Sequence, residues 1–175
     1  MKKQIVLALA AAFGINRLGV ASTFDPASFG AGSYEGEGDT RRFSMPPGEY
    51  NAFIVGPFNE DKKSKIKVTD RGQVIFEVVW QPDSSELRTQ FGLEKLPTVR
   101  QGIFLDVKED GSLDMGPFKN ADLNKLRTVF GLNASGVKWS FADFMGRPAK
   151  IKIEQKVNKD DANNPFTNVT AVTAA

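Results

Sequence analysis

After residue 48, apolar and polar positions alternate with a period of two over successive short stretches, which predicts a chain of strands. EYNAFIVGPF (49–58) reads as a first strand ending at Gly56-Pro57. In SKIKVTD (64–70), Ile66 and Val68 alternate with Lys65 and Lys67, predicting one buried and one basic face. Asp70-Arg71-Gly72 is a turn signal. QVIFEVVWQ (73–81) is apolar at both parities except at Glu77, the pattern of a central strand. Residues 82–97 are polar with a weak helical stretch and predict a long loop. TVRQGIFLDVKED (98–110) is another strand, in which Gly102 marks a bulge or bend.

The period then changes. Asp110-Gly111-Ser112 predicts a turn, and Asn120 is the expected cap of a helix whose Leu123, Leu126 and Phe130 share one face, with Gly131 as its stop. WSFADFMGRP (139–148) predicts a helix of one or two turns, capped by Ser140 and stopped at Gly146. AKIKIEQKV (149–157) returns to alternation, KDDANNP forms a hairpin-type loop, and FTNVTAVTAA is a last strand. The expectation is a mainly β, α+β chain with short helices. An OB-like, partly open five-stranded barrel over 49–175 suits this order, and a β-sandwich is the competing architecture.

The first 48 residues read differently. MKKQIVLALAAAFGINRLGVAST opens with two lysines, continues through an apolar stretch and reaches Gly19-Val20-Ala21-Ser22. That is the outline of a signal peptide, or of an apolar arm that docks on its own domain or a neighbouring subunit, over residues 1–22. It is too short and too interrupted to span a bilayer. Residues 23–48 are rich in Gly, Ser, Pro and acids, and predict a flexible, extended linker pinned by Phe24, Phe29, Tyr34 and Phe43.

Composition narrows the chemistry. The chain has neither His nor Cys, which removes the commonest general base and every thiolate nucleophile or sulfur-bound metal. Asp106, Glu109, Asp110 and Asp114 lack the ligand spacing of a calcium loop, and no glycine-rich nucleotide motif is present. No enzyme, metal or cofactor is expected. The 23 basic and 21 acidic residues are unevenly spread: from Lys119 to Lys159 there are nine Lys or Arg against three acids. Such segregation points to a polyanionic partner or to a solvated basic surface.

Lysines of one parity share a sheet face, so Lys65 with Lys67, and Lys150 with Lys152, each set two ammonium groups about 7 Å apart, near the phosphate spacing of an extended single strand. Single-strand binders add ring platforms to such a track. Trp80, Phe118 and Trp139 are the candidate platforms, with Phe104 behind them. Lys119, Lys125, Lys138 and Arg147 complete the candidate nucleic-acid-binding set.

The stretches FDPASFGAGSYEG, PPGEYNAFI, VRQGIFLDV, GSLDMGPFKNADLNKLRTVFGLN, AKIKIEQKV and NVTAVT together resemble a family of small phage-encoded, single-stranded-DNA-binding-like proteins, over residues 24–175. The resemblance implies an OB-type barrel that binds single-stranded DNA during phage replication or recombination, in the host cytoplasm. It also implies Lys119, Lys125, Lys150 and Lys152 on the phosphate track. Homo-oligomers and other replication or recombination proteins are the implied partners. A virion structural subunit that decorates the capsid and uses its N-terminal arm for assembly, or an exported module, is the alternative expectation.

Overall fold

The structure, a computed structural model, describes residues 43–175, so the predicted leader and most of the predicted linker lie outside the described residues. One compact unit spans Arg41–Ala175. Its elements are β1 (Gly48–Ile54), β2 (Lys65–Val68), β3 (Val74–Asp83), α1 (Ser85–Phe91), β4 (Val99–Leu105), α2 (Ala121–Val129), a 3-10 turn (Phe141–Phe144), β5 (Pro148–Lys156) and β6 (Phe166–Ala174). Among the described residues the protein is mainly β, with six antiparallel strands in one sheet and two short α-helices.

The organising strand is β3, which is paired along both of its edges. One edge carries β4, from Val74 opposite Leu105 to Trp80 opposite Val99. The other edge is shared in succession by β2, opposite Val74–Glu77, and β1, opposite Trp80–Asp83. β1 continues to β5, and β5 to β6. β6 and β4 then lie beside each other, with α2 against both, although no paired register joins these two strands among the described residues.

One parity of each strand fills the interior. Ala52 and Ile54 of β1, Phe76, Val78 and Trp80 of β3, Ile103 of β4 and Ala149, Ile151 and Ile153 of β5 are all buried there. Leu123 and Leu126 of α2 and Phe144 of the 3-10 turn close the interior over. Each such side chain contributes about 1.5–3 kcal/mol by leaving water, less for the alanines. Helix α2 ends as predicted, with Gly131 at φ 69°, a conformation that an L side chain resists.

Four local expectations are corrected. The β3–β4 register runs through Gly102 without a shift, so Gly102 is not a bulge; the irregularity lies in β6, where Thr170 is the extra residue opposite Lys152 and Ile153. Val68 is exposed, because it ends a four-residue edge strand beside a turn, and only Ile66 of β2 packs against the core. The expected loop at 82–97 contains α1, started by Ser84, whose hydroxyl accepts from the Leu87 amide, and ended by Gly92. Asn120 does begin α2, but its side chain makes no cap bond.

Candidate nucleic-acid interface

The basic residues singled out from the sequence do not share one groove. Lys150 and Lys152 point outward from β5, as their parity requires. Lys150 lines a cleft of about 690 Å³ with Glu49, Asn51, Asp83 and Glu86, and Lys152 is bonded to Glu154 at 3.0 Å. Lys125 pairs with Asp122 at 2.9 Å and lines a separate cleft of about 260 Å³ at the β4–β6 seam, with Gln101 and Ala171. Lys119 belongs to a third cleft, with Phe104 and Asp106. The single phosphate track that the resemblance implies is therefore corrected: Lys150, Lys125 and Lys119 line three separate clefts. Parity fixes the face of a strand, whereas the neighbours on that face depend on which strands lie alongside.

Both tryptophans are engaged internally. Trp80 is 0% exposed and donates its indole N–H to Gln101 Oε1 at 2.9 Å, so it offers no stacking surface. Trp139 is half-buried. The Arg127 guanidinium lies 4.5 Å from its ring centroid, and Phe141 and Phe144 meet it edge-on. Arg127 is itself buried and donates to the Leu132 carbonyl and to Asn124 Oδ1, each at 2.9 Å. Burial pulls its pKa down from the usual arginine value. Arg147 donates to the carbonyls of Phe130 and Asp143, which makes it a brace for the loop before β5. Lys138 is exposed on the segment leading to Trp139. Of the three candidate platforms, Phe118 alone is fully exposed, at 100%.

The structure instead assembles a site on the outer face of β2, β3 and β4. Directly opposed residues share a face. The registers thus set Lys67, Ile75 and Phe104 in one row and Lys65, Glu77 and Gly102 in the next, followed by Val79 and Arg100. Rows are about 7 Å apart and strands about 4.8 Å apart. Phe104 is 60% exposed at the penultimate position of β4, whereas its neighbours in sequence, Ile103 and Leu105, are core. Glu77 is 6% exposed and receives Lys67 on one carboxylate oxygen and Arg100 on the other, the latter at 2.5 Å. Opposite it, Gly102 contributes no side chain, which leaves the diagonal from Arg100 open.

Beyond Phe104 the face runs into a cleft of about 360 Å³ lined by Gly72, Gln73, Asp106, Asp114 and Lys119. This end is held by Asn120, 2% exposed, whose side-chain amide donates to the carbonyls of Asp106 and Asp114 and whose Oδ1 accepts from the Asp106 amide, all at 2.9 Å. Its own amide donates to Asp106 Oδ2 at 2.8 Å. That last bond, helped by the charge of Lys119, holds the Asp106 carboxyl below its ordinary pKa. Phe118, at φ 63°, stands on the loop so braced.

Burial pushes the Glu77 carboxyl up, but the hydrogen bond from Lys67 and the charge of Arg100 outweigh it and hold the group below its ordinary value of 4.5. A carboxylate lowered in the folded state adds stability above its unfolded pKa and loses it as pH falls through the folded one. Stability should therefore drop on acidification below about pH 4.5, and Glu77→Gln should remove that part of the slope. Melting temperatures of the two proteins across this range check the prediction; parallel curves would count against it.

Arg100 was not a candidate from the sequence and Phe104 stood only behind the platform rings, although the signal was present: with Gly102 they occupy one parity of VRQGIFL. What was missing was the register that aligns them with Lys65 and Lys67. Among the described residues no group of three or more Asp or Glu is arranged to hold a metal ion, and no helix is long and apolar enough to cross a membrane. Comparison with protein-family models and with curated protein sequences finds no match.

Proposed function

We propose that the protein is a non-catalytic, single-stranded-DNA-binding protein of OB type, and that it binds through the outer face of β2, β3 and β4. The strand order supports the fold reading. Starting from β1, the neighbours are β3, β4, β6, β5 and β1 again, with α2 inserted between β4 and β5 and the β4–β6 contact left partly open. In an OB barrel the second and third strands of this cycle carry the binding face, and here those strands are β3 and β4.

The observation that carries the functional reading is Phe104, an exposed ring near the end of β4 that shares its row with Lys67 and lies two rows from Arg100 on the same sheet face. A base stacks on any π-face without regard to sequence, and the phosphates of the same strand need cations along the same face. Lys65, Lys67, Arg100 and Lys119 are the cations of this track. Phe118, fully exposed beside Lys119 in the chain, is a second ring. The role fits replication or recombination of a phage genome in the host cytoplasm, as the family resemblance implies.

Labelled oligo-dT tests the reading. A mobility shift is expected at low salt, with log K falling against log salt at a slope of about −2 for the roughly three net positive charges that the four cations and Glu77 present to a single strand. No shift at low salt, or a shift insensitive to salt, overturns it.

A further inference from the structure

The face proposed for DNA has an acid at its centre. Glu77 lies in the middle row, between the row of Lys67 and Phe104 and that of Arg100, and its carboxylate takes one hydrogen bond from each of those cations. Lys67 and Arg100 reach it from opposite strands by diagonal approach, since the residue directly across is Gly102. A side chain beyond Cβ at position 102 would rise over the carboxylate. A Cβ there would meet only Ile75, at 3.4 Å, so space alone does not require the glycine. The remaining groups around Glu77 are Lys65, directly opposite on β2, and the apolar Ile75 and Val79 on its own strand.

We infer that Glu77 is an internal competitor for phosphate, one that holds Lys67 and Arg100 in place while cancelling part of their charge, so that the face binds a single strand weakly and reversibly. The inference rests on the binding reading above. Two charges of opposite sign attract a phosphate far more weakly as a pair than a free cation does, and a fixed carboxylate within a few ångströms of the incoming phosphate repels it. The opposing effect is order. Freed from Glu77, each cation gains rotamers that binding must remove again. Lys67 and Arg100 are each about half exposed, so this ordering cost is shared with solvent and is the smaller effect. Repulsion therefore decides the sign.

The test is Glu77→Gln, which keeps the shape of the side chain and removes its charge. Oligo-dT affinity at low salt should rise about tenfold, and the salt slope should steepen by about 1, because the two cations then release counterions on binding that Glu77 now displaces. A double-mutant cycle with Arg100→Gln supplies a second measurement. The loss caused by Arg100→Gln should be at least threefold larger in the E77Q background than with Glu77 present. If the original protein binds oligo-dT and E77Q binds equally well or more weakly, the competitor role fails while the binding reading stands. If neither binds, both fail. If E77Q does not fold, as judged by its melting curve, Arg100→Gln alone decides: a loss above about tenfold with Glu77 intact means that the carboxylate does not mask the guanidinium, and overturns the inference.

Discussion

Phe104→Ala is expected to weaken binding of oligo-dT between about 5-fold and 150-fold, with little change in melting temperature. The range follows from the 1–3 kcal/mol that a stacked base typically loses when its aromatic partner is truncated, at about 1.4 kcal/mol for each factor of ten. The separation from stability follows from burial. The ring is 60% exposed, its core-facing neighbours Ile103 and Leu105 remain, and a surface substitution of this kind changes stability by about 0.5 kcal/mol or less. The salt slope should stay unchanged, since no cation is lost. Phe104→Trp should keep or strengthen binding, because the larger ring retains the platform. Fluorescence anisotropy of a labelled oligonucleotide against each variant reads all three outcomes. A Phe104→Ala protein that binds as tightly as the original would move the site away from this face.

Asn120→Ala should lower stability by about 3 kcal/mol or more, the largest single loss we expect from a polar residue of this chain. Three hydrogen bonds at 2.9 Å end on its side chain, in a position only 2% exposed. Each contributes about 1 kcal/mol net, and the Asp106 and Asp114 backbone groups left behind are costlier still where water cannot reach them. The backbone adds a further increment. Asn120 sits at φ 51°, where asparagine is tolerated and alanine is not, at about 1 kcal/mol. Asn120→Gly should thus be the milder change by roughly that amount, although it removes the same side-chain bonds. Denaturant midpoints of the two variants give the comparison, and equal losses would show that strain plays no part. Because the same bonds hold the loop carrying Phe118 and Lys119, the glycine variant, if folded, should also bind DNA less tightly.

Much of the architecture was legible because it rests on period. Alternation in EYNAFIV, in VRQGIFL and in AKIKIEQK located β1, β4 and β5, and the two-sided apolarity of QVIFEVVW marked β3 as a central strand. The spacing of Leu123, Leu126 and Phe130 gave the buried stripe of α2. The weakest points were local. Gly102 read as a bulge because glycine weakens a strand, yet its register is unbroken and its lack of a side chain serves the Glu77 pairing opposite. Asn120 read as a cap because asparagine favours helix starts, yet its side chain turned to a loop 14 residues back in the chain.

What the sequence determined by itself is the parity of β1, β4 and β5, and with it which of their side chains face the core, since that follows from local backbone geometry and the preference of apolar groups to leave water. Only the tertiary structure decided which outward residues meet. Register and strand neighbours are set by contacts between segments far apart in the chain, and these aligned Lys67 with Phe104, drew Arg100 and Lys67 onto Glu77, buried Trp80 behind Gln101 and dispersed Lys119, Lys125 and Lys150 among three clefts.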